Sequence, residues 1–588
     1  MFGKKKKEKD FMQEEMVQSP GRTAFRNFLD KKLSVAGMVT FIAIVIFVFV
    51  ASIILPFDKT YIDSTQLNIP PSRNFLSVPS ALEHNAKAIS LGSTFGAGID
   101  RNGNIHQWGT YHAQSSMIPS TAPPRDAGPF RLIASGLNHV SAVAEDGTVY
   151  SWGNHIFPQI TEVPGALRGR NIIEIEAGFQ STVALDDQGH LHFWGNASMF
   201  NFGPQREHQG HFTTFALNIV TAIAILDDGT IVCVSRAEHG FHNVPDEIQG
   251  RAVDVAMTDQ VAAALLDDGT VVTWGGRRLL PEFHVPDSIQ GRVTKLMGGR
   301  THFTALLDDG TVYSWGGNMF FQINNPHNAG FVDIAVNYFQ NAAIDADGNV
   351  TTWGHRGYLM GTDHLGRDVY TRLIYGGRIS LTVGFVAVII SSILGIIIGG
   401  ISGYFGGKVD MFLQRFGEVI QGVPLIPLLL LLGGILATRV EQTWRIVIVM
   451  ILIGLLGWPG LARLTRGQIL SEKNQEFVTA AKAMGIREGK IIFRHIMPNV
   501  MPVILVSITL SMAAAMLTES ILSFLGFGVA EPDASWGNML NAVNDATVIS
   551  RYWWRWVFPA SALGLTVISI NTMGDGLRDA VDPKQNDR

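Results

Sequence analysis

The chain has 588 residues, of which 47% are hydrophobic and 16% are charged, with a formal net charge of −5 and a mean hydropathy of +0.20. These values exclude a mainly disordered chain and show no basic footprint for nucleic acid. The hydropathy is high for a soluble enzyme but low for a chain embedded in a membrane throughout, which predicts one apolar and one water-soluble part. Cys233 is the single cysteine, so an intramolecular disulfide is excluded.

An uncharged apolar run, 33–55, follows a basic N-terminal stretch and is long enough to cross a bilayer. The basic flank predicts a cytoplasmic N-terminus, and the run lacks the cleavage site of a signal peptide. Five further candidate spans follow: Ile379–Ser402, Phe416–Ala437, Trp444–Leu461, Val500–Leu525 and Trp556–Met573. Six spans place both termini inside and the segment 57–360 outside. The basic loop 462–499 is then cytoplasmic, as the positive-inside rule expects.

Between the first two spans a unit of roughly 40 residues recurs seven times, the length typical of one propeller blade. Each unit has a short apolar stretch, a turn glycine that usually follows Asp or Asn, and a second stretch that ends in Trp-Gly. The turn glycines are Gly103, Gly147, Gly189, Gly229, Gly269, Gly310 and Gly348; the tryptophans are Trp108, Trp152, Trp194, Trp274, Trp315 and Trp353, with Val234 in the fourth unit. Such units must pack on one another, which predicts a closed seven-bladed β-propeller with tryptophans between its blades; a linear β-solenoid is the alternative.

The repeats resemble those of the regulator of chromosome condensation family of propellers, most closely at Ile133–His139 and Met297–His302. We do not transfer the nucleotide-exchange role of that family, because a fold does not carry a function. The Asp-Asp-Gly turns predict hairpin chemistry rather than calcium binding. His190 and His192 share a predicted strand face, which leaves open a metal site or ordinary surface histidines. We predict no metal site.

Four blocks beyond residue 360 carry a second resemblance: Gly361–Asp368 with Tyr375–Leu381, Glu476–Gly485 with Arg494–Asn499, Glu519–Gly526 with Ser535–Leu540, and Asn571–Pro583. Together with the first span, they resemble the second permease of the dipeptide, oligopeptide and nickel group of bacterial ABC importers. This resemblance implies an all-α, type I transmembrane domain of six helices, interrupted by the propeller. It also implies the bacterial inner membrane, with the propeller extracytoplasmic.

The stretch from Glu476 to Ala483 favours a helix, with Gly485 as its stop. The resemblance implies that this helix docks on an ATPase subunit, and that small alanines allow the close approach. The predicted ATPase-coupling residues are Glu476, Thr479, Ala480, Ala481, Gly485 and Pro498. Thr479 departs from the glutamate often found there in the family. An ordinary basic helix on the membrane surface is the alternative.

Two further groups of polar residues are candidates. Glu519 falls inside the fifth predicted span, where a charge costs roughly 2.5–3.5 kcal/mol. It therefore contacts the substrate, forms a helix-packing hydrogen bond or lies at the membrane interface. Four charged residues before the second span either gate the outer mouth or pair structurally: Asp363, Arg367, Asp368 and Arg378.

The chain has no GxxxxGK[ST] phosphate loop, and Gly406–Lys408 comes nearest. We therefore expect no ATP hydrolysis and no cofactor in this chain, with ATP and Mg in two partner ATPase subunits. The resemblance also implies two further partners, another permease subunit that pairs with this one and an extracytoplasmic substrate-binding protein. The predicted function is a permease subunit for peptides or similar small solutes, with the propeller for docking or substrate handling. The alternative is a membrane-anchored display scaffold or receptor that uses the propeller for envelope or partner binding.

The predicted organisation follows from these spans, repeats and blocks. It comprises a basic tail 1–32, a first transmembrane helix 33–56, a linker 57–84, the propeller 85–356, a pre-helix segment 357–378, a transmembrane domain 379–576 with its coupling loop 462–499, and a C-terminal tail 577–588.

Overall fold

The computed structural model describes residues 20–54, 61–110, 127–153, 162–196, 210–219, 221–234, 240–275, 280–437 and 439–581. The chain divides into two compact units, Met1–Thr60 with Tyr370–Arg588 and Tyr61–Val369. The first unit is built from helices and the second from β-strands, which confirms the predicted fold class. Most of the predicted basic N-terminal tail, and the predicted C-terminal tail beyond residue 581, lie outside the described residues.

In its described part, the β unit has seven antiparallel three-stranded sheets, each made of strands consecutive in the chain. The strands are β1 Ala86–Leu91, β2 Phe95–Asp100, β3 Ile105–Gly109; β4 Phe130–Ser135, β5 His139–Ala144, β6 Val149–Gly153; β7 Ile172–Ala177, β8 Ser181–Asp186, β9 Leu191–Gly195; β10 Phe212–Leu217, β11 Ala222–Leu226, β12 Ile231–Cys233; β13 Ala252–Met257, β14 Ala262–Leu266, β15 Val271–Trp274; β16 Val293–Gly298, β17 His302–Leu307, β18 Val312–Gly316; and β19 Phe331–Asn337, β20 Gln340–Asp345, β21 Val350–Gly354. We call these sheets blades 1 to 7.

Turn chemistry explains the hairpin between the second and third strands of each blade. In blade 2 the turn glycine Gly147 has φ +85°, a left-handed conformation that glycine adopts without strain. The Asp146 carboxylate accepts a hydrogen bond from the Thr148 amide at 2.8 Å, which fixes the same turn. Asp309 and Thr311 repeat this bond in blade 6.

The repeated tryptophans lie between neighbouring blades and are 3–7% exposed. Trp315 of blade 6, for example, shares a buried cluster with Leu265 of blade 5, and its ring centroid lies 5.5 Å from that of Phe303. Val234, which stands in the tryptophan position of blade 4, is also buried and packs against blade 3. Each blade therefore depends on its neighbouring blades to bury its apolar faces.

The ring is closed by packing between blade 7 and blade 1. Trp108 and Leu91 of blade 1 share a buried cluster with Ala335 and Ile344 of blade 7, and β19 lies against β1. The side chain of Asn337 adds hydrogen bonds to the carbonyls of Leu91 and Ser135, at 2.7 and 2.9 Å. These contacts favour a closed propeller over a linear solenoid. Among the described residues, the three strands of each sheet are consecutive in the chain, and no sheet mixes strands from the two ends of the ring.

The segments that enter and leave the propeller pair with each other. The amide of Asp63 donates to the carbonyl of Leu365 at 3.0 Å, and the amide of Thr362 donates to the carbonyl of Ile69 at 2.9 Å. Arg300 ties this paired segment to the blades through an ion pair with Asp63. The two ends of the inserted domain consequently emerge together, as an insertion requires.

The helical unit contains twelve described α-helices and one π-helical turn. They are α1 Pro20–Leu29, α2 Lys32–Ile54, α3 Val369–Phe405, α4 Gly407–Gly422, α5 Leu425–Ala437, α6 Gln442–Glu472, α7 Glu476–Ala483, α8 Glu488–Lys490, the π turn Ile491–Ile496, α9 Met497–Phe524, α10 Trp536–Leu540, α11 Ala546–Arg551 and α12 Trp554–Val581. Five described helical stretches are long and apolar enough to cross a membrane: Lys32–Ile54, Val369–Phe405, Trp444–Glu472, Glu488–Phe524 and Trp554–Val581.

The predicted span Phe416–Ala437 is wrong as a single continuous helix. It begins inside α4, and the chain bends by 66° before α5. Val423 has φ −75° and ψ 121°, because the ring of the following Pro424 disfavours the helical conformation in the residue before it. The described helices give six crossings only if this bent pair counts as one.

Small residues and one ion pair hold the helices close together. A Cβ added to Gly37 of α2 would lie 3.0 Å from the carbonyl oxygen of Ser569 in α12, so these two helices approach closely. Arg466 of α6 donates two hydrogen bonds to Asp410 of α4, both at 2.6 Å. Helix α6 continues eleven residues beyond the predicted end at Leu461, and this extension carries Arg466.

Candidate functional site

The short helix α7 occupies the predicted residues Glu476–Ala483, and its two sides have different surroundings. Val478 and Ala481 are 0% and 1% exposed and share a buried cluster with Tyr404 of α3, Ile469 of α6 and other side chains. The cluster also contains Ile491, Ile492 and Ile496 of the π turn, and Met497, Val500 and Ile504 of α9. Helix α7 is thus anchored on three of the apolar helices.

The opposite side of α7 is exposed. Glu476, Thr479 and Ala480 lie there, and so do Phe477 and Met484, which are 38% and 71% exposed. Phe477, Ala480 and Met484 are spaced i, i+3 and i+7, so they form one apolar stripe on the surface. Sequence reasoning missed Phe477 and Met484; the helical spacing of apolar residues around Ala480 was the available signal.

Ala481 does not share the exposed side with Ala480, contrary to the expectation that both alanines admit a partner's groove. Residues one apart on a helix lie about 100° from each other, and the buried cluster takes Ala481. Its small size instead allows α7 to lie close to the π turn. The part that the other coupling residues play in contacting an ATPase stays a prediction.

Gly485 ends α7 in a Schellman motif. Its φ is +71°, its amide donates to the carbonyl of Lys482, and the amide of Ile486 donates to the carbonyl of Ala481. A Cβ at this position would meet no atom within 4 Å, so glycine is favoured here by the backbone conformation alone. Pro498 is exposed in the first turn of α9, directly after the π turn.

Glu519 of α9 is 1% exposed and is held by serine hydroxyls. Ser523 and Ser380 donate to its carboxylate at 2.7 and 3.0 Å, and Ser380 in turn accepts from the amide of Trp536 at 3.2 Å. This geometry favours helix packing over substrate contact, since the carboxylate links α9 to α3 and, through Ser380, to α10. Sequence reasoning located the buried acid but not its serine partners.

The four charged residues before the second predicted span have different described contacts. Asp363 and Arg367 pair with each other at 2.7 Å, and Arg367 is 1% exposed. Asp368 forms a β-bridge with Thr362. Arg378 belongs to the helical unit, is exposed, and lies over the ring of Phe49 at 6.0 Å. This ion pair favours the structural role for Asp363 and Arg367, and a gating role for the four residues stays a prediction.

The two histidines considered as a metal pair both bind a carboxylate. His190 Nδ1 lies 3.2 Å and His192 Nε2 lies 3.0 Å from the fully buried carboxylate of Asp186. Arg170 donates to the same carboxylate at 2.9 Å. No group of three His, Cys, Asp or Glu side chains in the described residues could hold a metal ion.

The histidines of the repeat motif connect neighbouring blades. His139 Nε2 lies 2.9 Å from the hydroxyl of Thr182 in blade 3, and His302 Nε2 lies 2.9 Å from Asn341 Oδ1 in blade 7. Both imidazoles are fully buried, and this burial lowers their pKa to about 4. They are consequently neutral structural residues at physiological pH.

A central channel of about 320 Å³ is lined by residues of all seven first strands. Five acidic residues of its wall were missed by sequence reasoning: Glu174 and Glu176 of β7, Asp254 of β13, Asp259 in the following loop and Asp333 of β19. The enclosing protein raises the pKa of Glu174 to about 8, and the negative charge of Asp254 adds to this effect. Burial also raises the pKa of Asp254 to about 6 and that of Glu176 well above its usual range. The available signal was a charged residue at the third position of the first strand in several blades, as at Glu174 in β7 and Asp254 in β13.

Comparison with known proteins identifies the helical part. Residues 391–587 match the binding-protein-dependent transport system inner membrane component, and residues 19–71 match the N-terminal TM domain of oligopeptide transport permease C. The dipeptide transport system permease protein DppC of Bacillus subtilis is 45% identical over 39% of this chain and 69% of its own length. The oligopeptide permease OppC of Haemophilus influenzae is 42% identical over 43% of this chain and 80% of its own length. The chain therefore belongs to the peptide-permease family of binding-protein-dependent transport systems.

The propeller lies within residues 72–390, outside both of those family matches. The CRINKLY WD40 ectodomain of the Arabidopsis thaliana receptor kinase ACR4 is 16% identical, with a TM-score of 0.35, over 46% of this chain and 98% of that chain. The MetNI methionine ABC transporter is 17% identical, with a TM-score of 0.30, over 36% of this chain and 96% of that chain. Our assignment of the propeller rests on the seven blades and their closure, not on these likenesses.

Proposed function

We propose that this chain is the second permease subunit of an ATP-driven importer of peptides or similar small solutes. Its proposed partners are another permease, two ATPase subunits that bind ATP and Mg, and an extracytoplasmic substrate-binding protein. The peptide permeases among its relatives support this assignment. We place both termini in the cytoplasm and the propeller outside, on the basis of the basic residues between α6 and α9.

The two-sided environment of α7 carries the proposal. Its exposed stripe of Phe477, Ala480 and Met484 offers an apolar contact to an ATPase. Its buried residues Val478 and Ala481 share one cluster with α3, α6 and α9. Because interiors are close-packed, a displacement of α7 by the ATPase would be transmitted to those three helices. An anchor for a displayed domain has no need of this arrangement.

The test is ATP hydrolysis by the complex reconstituted in lipid. The chain is co-expressed with the ATPase and permease encoded beside it, and activity is measured with and without peptide and binding protein. We expect stimulated activity that Ala480→Glu and Met484→Glu reduce at least tenfold, because each places a charge in the apolar contact. Ser471→Glu adds the same charge at an exposed position near the end of α6 and should leave the activity unchanged. Absence of a co-purifying ATPase, or full activity in both α7 variants, would favour the display scaffold.

We propose that the propeller recruits the binding protein or handles substrate. A rigid ring with loops from seven blades suits partner binding. The amide of Phe75 and the carbonyl of Arg356 lie 3.4 Å apart, so a short Gly-Ser linker can replace residues 76–355. We expect this deletion to weaken binding-protein affinity in a pull-down or titration, while the ATPase still co-purifies. Unchanged affinity would refute the role in recruitment.

A further inference from the structure

Helix α4 lies between two breaks in the chain. Its start follows the turn at Gly406 and Gly407, whose φ angles are +66° and +55°, and its end is followed by the bend at Val423. A Cβ added to either glycine would meet no atom within 4 Å, so the described neighbours leave this turn room to change its dihedral angles. The orientation of α4 therefore depends on its contacts with other helices.

An ion pair holds the first turn of α4 against α6. Arg466 donates a hydrogen bond to each carboxylate oxygen of Asp410, both at 2.6 Å, in the bidentate geometry that makes such pairs strong. The hydroxyl of Ser402, near the end of α3, also donates to this carboxylate, and the side-chain amide of Gln414 donates to the same hydroxyl at 3.0 Å. The Asp410 carboxylate consequently joins α3, α4 and α6.

Both sides of this ion pair are connected to α7. Tyr404 of α3 belongs to the buried cluster that holds α7, and the ammonium group of Lys482 in α7 lies 5.2 Å from the centre of its ring. Ile469, three residues after Arg466 in α6, belongs to the same cluster. A Cβ added to Gly403 would lie 2.8 Å from the carbonyl oxygen of Arg466, so α3 and α6 approach closely here. A displacement of α7 would therefore act on the ends of α3 and α6 that hold Asp410.

We propose that Asp410 and Arg466 are positioning residues for the transport step. Their ion pair fixes the tilt of α4, and movement of α7 changes this tilt through the ends of α3 and α6. The coupling of ATP hydrolysis to solute movement then depends on the pair, whereas the binding of an ATPase at α7 does not. This inference rests on the proposed permease function.

The tilt of α4 is measured on the full chain alone, in lipid nanodiscs. Nitroxide labels are attached at Val419→Cys in α4 and Ile568→Cys in α12, two exposed positions, in a Cys233→Ser background. Their separation is measured by double electron–electron resonance. Val419 lies about 18 Å along the helix from Gly407, so a tilt of about 10° at the glycine turn would move it by about 3 Å.

Neutral variants separate the ion pair from ordinary surface charge. Asp410→Asn removes the charge that Arg466 binds, and should shift or broaden the distribution of label distances by about 3 Å or more. Arg415→Gln removes an exposed ion pair with Glu418 on the same helix and should leave the distribution unchanged. An unchanged distribution in Asp410→Asn, or an equal change in Arg415→Gln, would overturn the proposed hold on α4.

Transport by the reconstituted complex tests the consequence for coupling. The chain is incorporated into proteoliposomes with its ATPase, permease and binding-protein partners, and the ATP hydrolysed per tritiated trialanine imported is measured. We expect Asp410→Asn to raise this ratio at least about fivefold, while stimulated ATP hydrolysis stays within about twofold of wild type. A merely structural role would lower import and hydrolysis together and leave the ratio unchanged, which would overturn the coupling role. Failure of the wild-type complex to hydrolyse ATP or to import trialanine would instead count against the proposed function, and the label distances still decide whether the pair holds α4.

Discussion

The attachment of the paired connecting segments to the propeller should depend on Arg300. Its guanidinium forms an ion pair with Asp63, whose side chain is fully buried, and donates to Asp259 at 2.7 Å and to the hydroxyl of Thr65 at 2.7 Å. One side chain therefore joins the entering segment to the loops of blades 5 and 6. Arg300→Met retains the aliphatic stem and leaves the buried Asp63 carboxylate without a cation.

The expected cost follows from the surroundings of Asp63. Loss of one partner of a buried ion pair costs about 3–5 kcal/mol. Asp63 keeps hydrogen bonds from the amide and hydroxyl of Thr65, at 2.8 and 2.6 Å, so we expect the lower end of this range. A local cost of about 3 kcal/mol corresponds to roughly a hundredfold increase in the opening equilibrium.

Hydrogen exchange followed by mass spectrometry measures this opening directly. The amides of Asp63, Asn68 and Thr362 are hydrogen-bonded between the paired segments, so their peptides should exchange roughly a hundredfold faster in Arg300→Met, by the same conversion. The control is Arg251→Met, which removes an exposed arginine bonded to two aspartates and should cost less than about 1 kcal/mol. Equal protection in Arg300→Met and wild type, or an equal effect of Arg251→Met, would refute the reasoning.

Four further predictions concern other parts of the chain. Gly485→Ala should cost about 1 kcal/mol through its positive φ, seen as faster exchange at the end of α7, while the surrounding space tolerates the methyl group. Trp315→Ala should destabilise the propeller by about 3–5 kcal/mol in denaturant unfolding, because it leaves a cavity between two blades. The pKa values of Glu174 and Glu176 are raised in the folded state, so their contribution to stability is full below the unfolded pKa and is lost as the pH rises through the folded pKa, which is about 8 for Glu174. The free energy of unfolding should therefore be lower at pH 9 than at pH 5.5. Glutamine at both positions should make this difference smaller. Glu519→Gln should retain the thermal stability of the purified chain better than Glu519→Ala, because the amide still accepts a serine hydrogen bond.

Local sequence signals were sufficient where structure depends on local chemistry. Helix α7 and its stop at Gly485 follow from helix propensity and backbone conformation, and the structure places them at the predicted residues. The turn glycines and tryptophans similarly predicted the blades, because each repeat carries its own hairpin. The bend at Val423 has a local cause in Pro424. The apolar residues on both sides of this proline nevertheless led to the prediction of one continuous span instead of two helices.

The sequence by itself determined the two classes of structure, one helical and one β, because hydropathy and repeat spacing are properties of neighbouring residues. Only the tertiary structure decided which side of α7 is exposed, where the Glu519 carboxylate finds its hydroxyl donors, and that acids of blades 3 and 5 meet in one channel. Glu174 and Asp254 are 80 residues apart in the chain, and the closure of the ring places both in the channel wall. Their shared electrostatics depends on distance in space, which no local pattern encodes.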